Sequence, residues 1–290
     1  MVSKSVPGNL TSCIDFFMYQ FLLEACAAAA QGDKRLAEFC TVHTAEEVQR
    51  FLDQAWAVRE APQRALAAQA TRVERLQAAA GRMPCVCGGI WAPGASRVLS
   101  LNGEDPRLFG HDVCLALSQG AKRGVNMAVI GRPGCGKSMM FEWMDQLFCV
   151  SGKPERDSSF PLSGILNADV LLWQEFTYNK KTLAFEDLLS VLVGELTAVR
   201  VPGAPPVQHR NKAPMFYTAR AGIAYRSGDP EEVGDYNFAV AERFNTRRWS
   251  VQLPMPERRA DFPACAPCAA RFYLECAAAH IRFSHLGAVA

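Results

Sequence analysis

Between residues 131 and 138 the chain reads Gly131-Arg132-Pro133-Gly134-Cys135-Gly136-Lys137-Ser138: a glycine, four residues, then Gly-Lys-Ser. Glycines at this spacing let backbone N–H groups turn inward around an anion, because a residue without a Cβ accepts positive φ and close approach. Lys137 adds a point charge for outer phosphates, and the Ser138 hydroxyl is a ligand for a hard divalent cation. The chemistry this suits is polyphosphate binding, and the expected ligand is a nucleoside triphosphate, ATP with Mg2+. Such a loop must leave a strand and enter a helix whose positive dipole end faces the phosphates. Met127-Ala128-Val129-Ile130 supplies the strand, and a helix is predicted from about Ser138 to Phe148.

Hydrolysis of a triphosphate asks for a carboxylate at the end of a neighbouring strand, to position magnesium or the attacking water. Leu171-Leu172-Trp173-Gln174-Glu175 ends an apolar strand with one. Glu175 follows Lys137 by about 38 residues, room for a helix, a loop and an adjacent strand. Glu175 is therefore the candidate catalytic carboxylate and, with Ser138, the candidate magnesium ligand.

The surrounding elements read as α/β. Leu108 to Gln119 has helical spacing, Val170 to Trp173 is a strand, and Leu183 to Val193 a helix. Met215 to Thr218 and Trp249 to Leu253 are further strands. Strands alternating with helices imply a parallel sheet covered on both faces. Up to about Gly81 the chain is expected to be helical. Thr44-Ala45-Glu46-Glu47 fits a capping box before Val48, Phe51, Leu52 and Ala55, and Pro62 precedes a second helix carrying Leu66, Val73 and Leu76. Gly and Pro between Cys85 and Gly103 mark a linker. The expected division is a helical region and linker over 1–105, a phosphate-loop domain over 106–256 and a Cys-containing helical tail over 257–290.

Composition bounds the alternatives. Of 290 residues 49% are hydrophobic, enough for a sizeable core. The net charge of +2 gives no general polyanion-binding field, though a local basic loop can act within a neutral total. The 11 cysteines form no regular disulfide framework, which suggests a reducing, intracellular compartment, nuclear or cytoplasmic. Ile14 to Ala30 is apolar but interrupted by Asp15, Gln20 and Glu24, so a buried or amphipathic helix is expected there, and no membrane association.

The order of these segments resembles the superfamily 3 helicases, and most the helicase domain of parvovirus non-structural replication-initiator proteins. Lys122-Arg123-Gly124-Val125-Asn126 leads into the phosphate loop. Phe160-Pro161-Leu162 precedes the strand ending at Glu175, and Met215-Phe216-Tyr217-Thr218 is similar to the family's third strand. The similarity runs from roughly Leu108 to Pro254. It implies an AAA+-like P-loop NTPase fold, ATP hydrolysis, ring-shaped homo-oligomers and single-stranded DNA as partner. Two positions depart from the family: Phe176 stands where a second acid is usual, and Arg220 where an Asn senses the γ-phosphate. No His-apolar-His motif of a nicking centre is seen. A non-hydrolysing nucleotide-binding scaffold, or a P-loop ATPase with a protein client, are the alternatives.

Arg200, His209, Arg210 and Lys212 fall in a Pro-rich segment that corresponds to the family's DNA-gripping hairpin. Arg243, Arg247 and Arg248 flank Phe244 and Trp249, and one of the three, Arg243 and Arg248 foremost, is the expected arginine reaching a neighbouring subunit's nucleotide. Near the C-terminus Cys265-Ala266-Pro267-Cys268 precedes Cys276 and His280, which share a helical face. That set reads either as a zinc site or as small buried hydrophobes. Cys85 and Cys87 receive no assignment.

Overall fold

A computed structural model describes residues 70–82, 85, 87–156, 158–225, 230–254 and 263–287. The chain divides into two compact units, Met1–Gln69 and Ala70–Ala290, and every described element belongs to the second. The segment Ile14 to Ala30, the capping box at Thr44 and the break at Pro62 lie outside the described residues.

Helices α1 (Arg72–Ala80), α2 (Trp91–Leu101) and α3 (Pro106–Gln119) lead into strand β1 (Asn126–Gly131). Then follow β2 (Val150–Ser151), β3 (Val170–Trp173), α4 (Phe185–Val193), the pair β4 (Leu196–Val201) and β5 (Ala204–Arg210), β6 (Met215–Ala219), α5 (Pro230–Ala241), β7 (Phe244–Trp249) and α6 (Ala266–Gly287). Five strands form one sheet in the order β2-β3-β6-β1-β7, all parallel. Strand β6 thus lies between β1 and β3, so the phosphate loop and the end of β3 meet across one intervening strand.

The apolar runs of β1, β3 and β6 are buried on both sides, as a helix-covered parallel sheet requires. Met127, Val129, Val170, Leu172 and Phe216 join the core under α1, α2, α3 and α6. Ala128, Ile130, Leu171, Trp173, Met215 and Tyr217 join the core under α4. Among the described residues no helix is long and apolar enough to cross a membrane.

Three local readings of the sequence need correction. Residues 91–101 are a helix rather than part of a linker. Trp91, Ala95, Val98 and Leu99 recur at helical spacing and are buried, and Pro93 falls in the first turn, where its missing N–H costs no hydrogen bond. The last strand is Phe244–Trp249 and ends where one was expected to begin. Its charged residues hid it: Arg247 pairs with Glu104 and Asp112, and Asn245 donates to Asp112 at 2.8 Å. The Pro-rich basic segment matches the hairpin the resemblance implied: it is an antiparallel pair with Leu196 opposite Arg210 and Gly203 turning at φ 68°.

The helix after the phosphate loop is two 3-10 turns, Ser138–Met140 and Glu142–Gln146, rather than an α-helix to Phe148. The Met140 carbonyl, which an α-helix would offer to Met144, instead accepts the Trp143 indole N–H and the Tyr273 hydroxyl, both at 2.8 Å. The Met144 N–H turns to Phe141 at 2.9 Å. Side-chain competition for one carbonyl thus replaces the helical ladder.

Candidate nucleotide site

Asn126 fixes the start of β1. It is fully buried, and its amide donates to the Leu192, Arg243 and Lys122 carbonyls while its oxygen accepts the Met215 N–H. One side chain therefore ties β1 to α4, to β6 and to the approach to β7. This is the structural use of the Lys-Arg-Gly-Val-Asn lead-in.

At the other end of β1 the loop is shaped by glycine. Gly134 and Gly136 have φ of 78° and 84°, in the region that side chains avoid. A Cβ on Gly131 would sit 2.0 Å from the Trp249 carbonyl oxygen, and one on Gly136 would sit 2.8 Å from Val98 Cγ1. The segment after β7 clasps the loop from outside: the Leu253 N–H donates to the Gly134 carbonyl at 2.8 Å, and the Gln252 amide to Pro133 at 3.0 Å. Cys135 is buried and holds the loop down, its carbonyl accepting from Asn102 at 3.4 Å. Arg132, Pro133 and Gly134 are exposed, and Ser138 opens the first 3-10 turn.

Lys137 is only 4% exposed. Its ammonium donates to the Gly131 and Arg132 carbonyls, each at 2.9 Å, and lies 3.9 Å from Glu175 Oε1. Two of its three N–H groups are thus spent on the loop's own backbone, which keeps the charge inside the cradle.

Glu175 lies two residues past β3 in the left-handed region, φ 47°, among the described residues the one non-glycine there. Such a conformation costs about 1–3 kcal/mol and persists only where neighbours impose it. Thr218 of β6 imposes it: its hydroxyl accepts the Glu175 N–H at 3.1 Å and its carbonyl accepts the Phe176 N–H at 2.9 Å. The strained turn sends Phe176 into the core against Trp173 and Tyr217, and leaves the Glu175 carboxylate half exposed beside Lys137. This explains why position 176 is not acidic here: the side chain serves packing.

Arg220, singled out in the sequence, and basic residues with no sequence signal complete the surroundings. Lys153, from the irregular segment after β2, donates to the Glu175 carbonyl at 3.2 Å. Arg220, just past β6, lines one cleft with Glu175, Asn179 and Lys180, and Lys153, Arg156 and Lys181 line a second beside the same carboxylate. The loop cradle, one buried cation, one carboxylate and this basic rim fit a triphosphate with its cation. Lys137 and Ser138 would hold the outer phosphates and the metal, and Glu175 faces them from the next-but-one strand.

The three arginines in and just before β7 separate. Arg243 is buried at the start of the strand, donating to the Leu189 and Ala239 carbonyls at 3.3 and 2.6 Å, and burial lowers its pKa. It lies at the opposite end of the sheet from the phosphate loop, roughly 20 Å along the strand. Arg247 is committed to Glu104 and Asp112. Arg248 is exposed beside Ile130, at the loop's end of β1. The hairpin cations are also dispersed. Arg210 and Lys212 lie at its base, His209 pairs with Thr197, and Arg200 lies about 13 Å along β4 from the Leu196–Arg210 pair.

No family model matches the sequence, and no curated protein matches it. Among solved structures, a crystal structure of JCV helicase with a bound small acetamide is 11% identical, with a TM-score of 0.50, over 83% of this chain and 70% of that one. A second structure of JCV helicase is 12% identical, TM-score 0.48, over 79% and 67%. The NrS-1 C-terminal region is 15% identical, TM-score 0.40, over 64% of this chain and 41% of that one. This chain therefore spans less than half the length of the NrS-1 region. At 11% identity the likeness to JCV helicase speaks to architecture alone: the described unit has a helicase-like α/β fold, a five-stranded parallel sheet flanked by helices.

Proposed function

We propose that this protein binds ATP with Mg2+ and hydrolyses it as a helicase-type motor on single-stranded DNA, in a homo-oligomeric ring, of the kind the parvovirus replication initiators use. The observation that carries the reading is the approach of Lys137 to Glu175 at 3.9 Å, across strands β1 and β3. Lys137 would exchange a backbone carbonyl for phosphate oxygen, Ser138 would supply a metal-ligating hydroxyl, and Glu175 would orient water. Magnesium, when bound, would offset the charge of the phosphate oxygens. Arg248 is the arginine left exposed at the loop's end of β7, and we assign it the reach toward a neighbouring subunit. The exposed cations Arg200, Arg210 and Lys212 of the hairpin would meet DNA phosphates, and neutralising all three should flatten the salt dependence of single-strand binding by about one unit per contact. Free thiols throughout the described unit support an intracellular setting, nuclear or cytoplasmic.

A second reading has its own support. Phe176 is buried where a second carboxylate would assist, and Arg220 lines the Glu175 cleft. Both favour a module that binds ATP without turning it over. ATP hydrolysis measured with and without single-stranded DNA, against Lys137→Ala, separates the two. Turnover above that control, raised by DNA, supports the motor; ATP binding with no turnover under either condition replaces it with the non-hydrolysing module.

A further inference from the structure

Cysteines far apart in sequence converge at one corner of the described unit. The Cys85 and Cys87 sulfurs are 3.6 Å apart, Cys87 and Cys268 3.4 Å, and Cys268 and Cys85 3.1 Å. With Cys265 added, all four sulfurs lie within 4.8 Å of one another. None is in a disulfide. The spacings are well beyond a 2.05 Å covalent bond and close to the ~3.8 Å between ligands of a tetrahedral zinc–thiolate centre.

We propose that Cys85, Cys87, Cys265 and Cys268 form a structural zinc site joining the segment before α2 to the first turn of α6. Four thiolates fill a tetrahedron and leave no position for water, which marks a closed, structural centre. Sulfur ligands favour zinc over the hard cation expected at the phosphate loop. Cys265 lies immediately before α6 and Cys268 in its first turn, where the helix dipole favours negative charge. Access is open: a cavity of about 320 Å³ lined by Cys85, Cys268, Gly88, Gly89, Arg271 and Glu275 reaches the cluster from solvent.

The assembled set differs from the one the sequence suggested. Cys265 and Cys268 belong to it. Cys276 and His280, further along α6, face α3: a Cβ on Gly110 would meet the Cys276 Cβ at 2.5 Å, and the His280 ring lies 4.7 Å from His111. Partial burial against α3 pushes the Cys276 thiol up to about 11, which disfavours a thiolate there.

Zinc binding by the four cysteines does not require a bound nucleotide, and its test reads metal directly. The full untagged chain, purified without chelator, should carry about one zinc per molecule by atomic emission. Cobalt substitution should give the ligand-field and charge-transfer bands of a tetrahedral thiolate site. Cys85→Ser and Cys268→Ser should each lower the zinc content about tenfold or more, as removal of a direct ligand does. Cys149→Ser, an exposed cysteine outside the cluster, should keep it. Should the ligand variants precipitate, the zinc content and cobalt spectrum of the unaltered chain decide. A chain purified without zinc, iron in its place, a disulfide linking two of the four cysteines, or full zinc content in a folded Cys85→Ser/Cys268→Ser double variant would overturn the proposal.

Discussion

The phosphate loop and the cysteine cluster are the two ligand sites proposed for this chain, and they are written in it in opposite ways. The loop's parts are contiguous: three glycines, a lysine and a serine within eight residues, after an apolar strand. Their spacing is itself the geometry, since backbone N–H groups can converge only where side chains are missing. The cluster's parts are split, Cys87 and Cys268 being 181 residues apart in sequence and 3.4 Å apart in space. Each half alone is an ordinary cysteine pair, and only the packing of α6 on α1 and α3 joins them. A site made of backbone is legible as a motif, whereas a site made of side chains from distant elements becomes legible only through the fold.

Glu175 lies between these extremes and gives the largest expected effect. Its carboxylate depends on a local strained turn and on Thr218 from another strand. Glu175→Gln keeps shape and most hydrogen bonds but removes the charge beside Lys137. ATP binding should persist while turnover falls about 10²–10⁴-fold, the usual contribution of a water-positioning or general-base group. Equal turnover in mutant and parent would mean that another group does this work. Thr218→Val removes the hydroxyl that accepts the Glu175 N–H, and should lower turnover by a smaller factor with ATP affinity kept.

Lys137→Ala comes next. It removes the buried cation, and ATP affinity should drop about 100-fold, in line with losing charge-assisted hydrogen bonds of roughly 1.5–3 kcal/mol. A titration with a fluorescent ATP analogue checks this. Unchanged affinity in a folded variant would refute the phosphate-loop assignment, and with it one side of the contrast.

Much of the sheet could be read from sequence because strands buried on both faces give unbroken apolar runs, as in Met127–Ile130 and Val170–Trp173. β7 escaped because its inward arginine is neutralised by Glu104 and Asp112, which no periodicity reveals. The helix α2 escaped because Pro93 and Gly94 read as breakers, though the first turn tolerates proline. The 3-10 turns after the loop escaped because their cause, Tyr273 on α6, is over 130 residues away. Lys137, Glu175 and Arg220 were named from the sequence, but Lys153, and the hold of Thr218 on the Glu175 turn, became visible only once the strand order set them around the same carboxylate.

Gly136→Ala tests the local half of the contrast. The residue has φ 84°, and the added methyl would lie 2.8 Å from Val98 Cγ1. Stability should fall by about 1–3 kcal/mol, with weaker ATP binding. Adding Val98→Ala removes the collision but leaves the φ strain, so it should restore part of the loss. Full restoration would show that the collision alone mattered, and none that the backbone conformation did.

The smallest expected effect is the most informative about the contrast, because the two sites are physically connected. Helix α2 begins beside the cluster and carries Val98 and Asn102 against Gly136 and Cys135. Helix α6 begins just after Cys265 and carries Tyr273, whose hydroxyl reaches Met140 in the turns after the loop. Loosening the proposed clip should therefore relax both supports of the cradle without touching any group that meets phosphate. Removal of zinc under conditions where the chain stays folded should weaken ATP binding about three- to tenfold, roughly 0.7–1.4 kcal/mol. Tyr273→Phe deletes one hydroxyl and Val98→Ala one contact, so each should reduce that sensitivity to zinc, in a cycle that isolates the coupling from the separate losses. If zinc removal changes ATP affinity equally in the parent chain and in the Val98→Ala/Tyr273→Phe double variant, the connection does not run through these two helices. If it changes affinity in neither, the cluster fastens the fold and leaves the loop alone. A loss that shrinks with each substitution would make the distant cysteines a remote part of the nucleotide cradle.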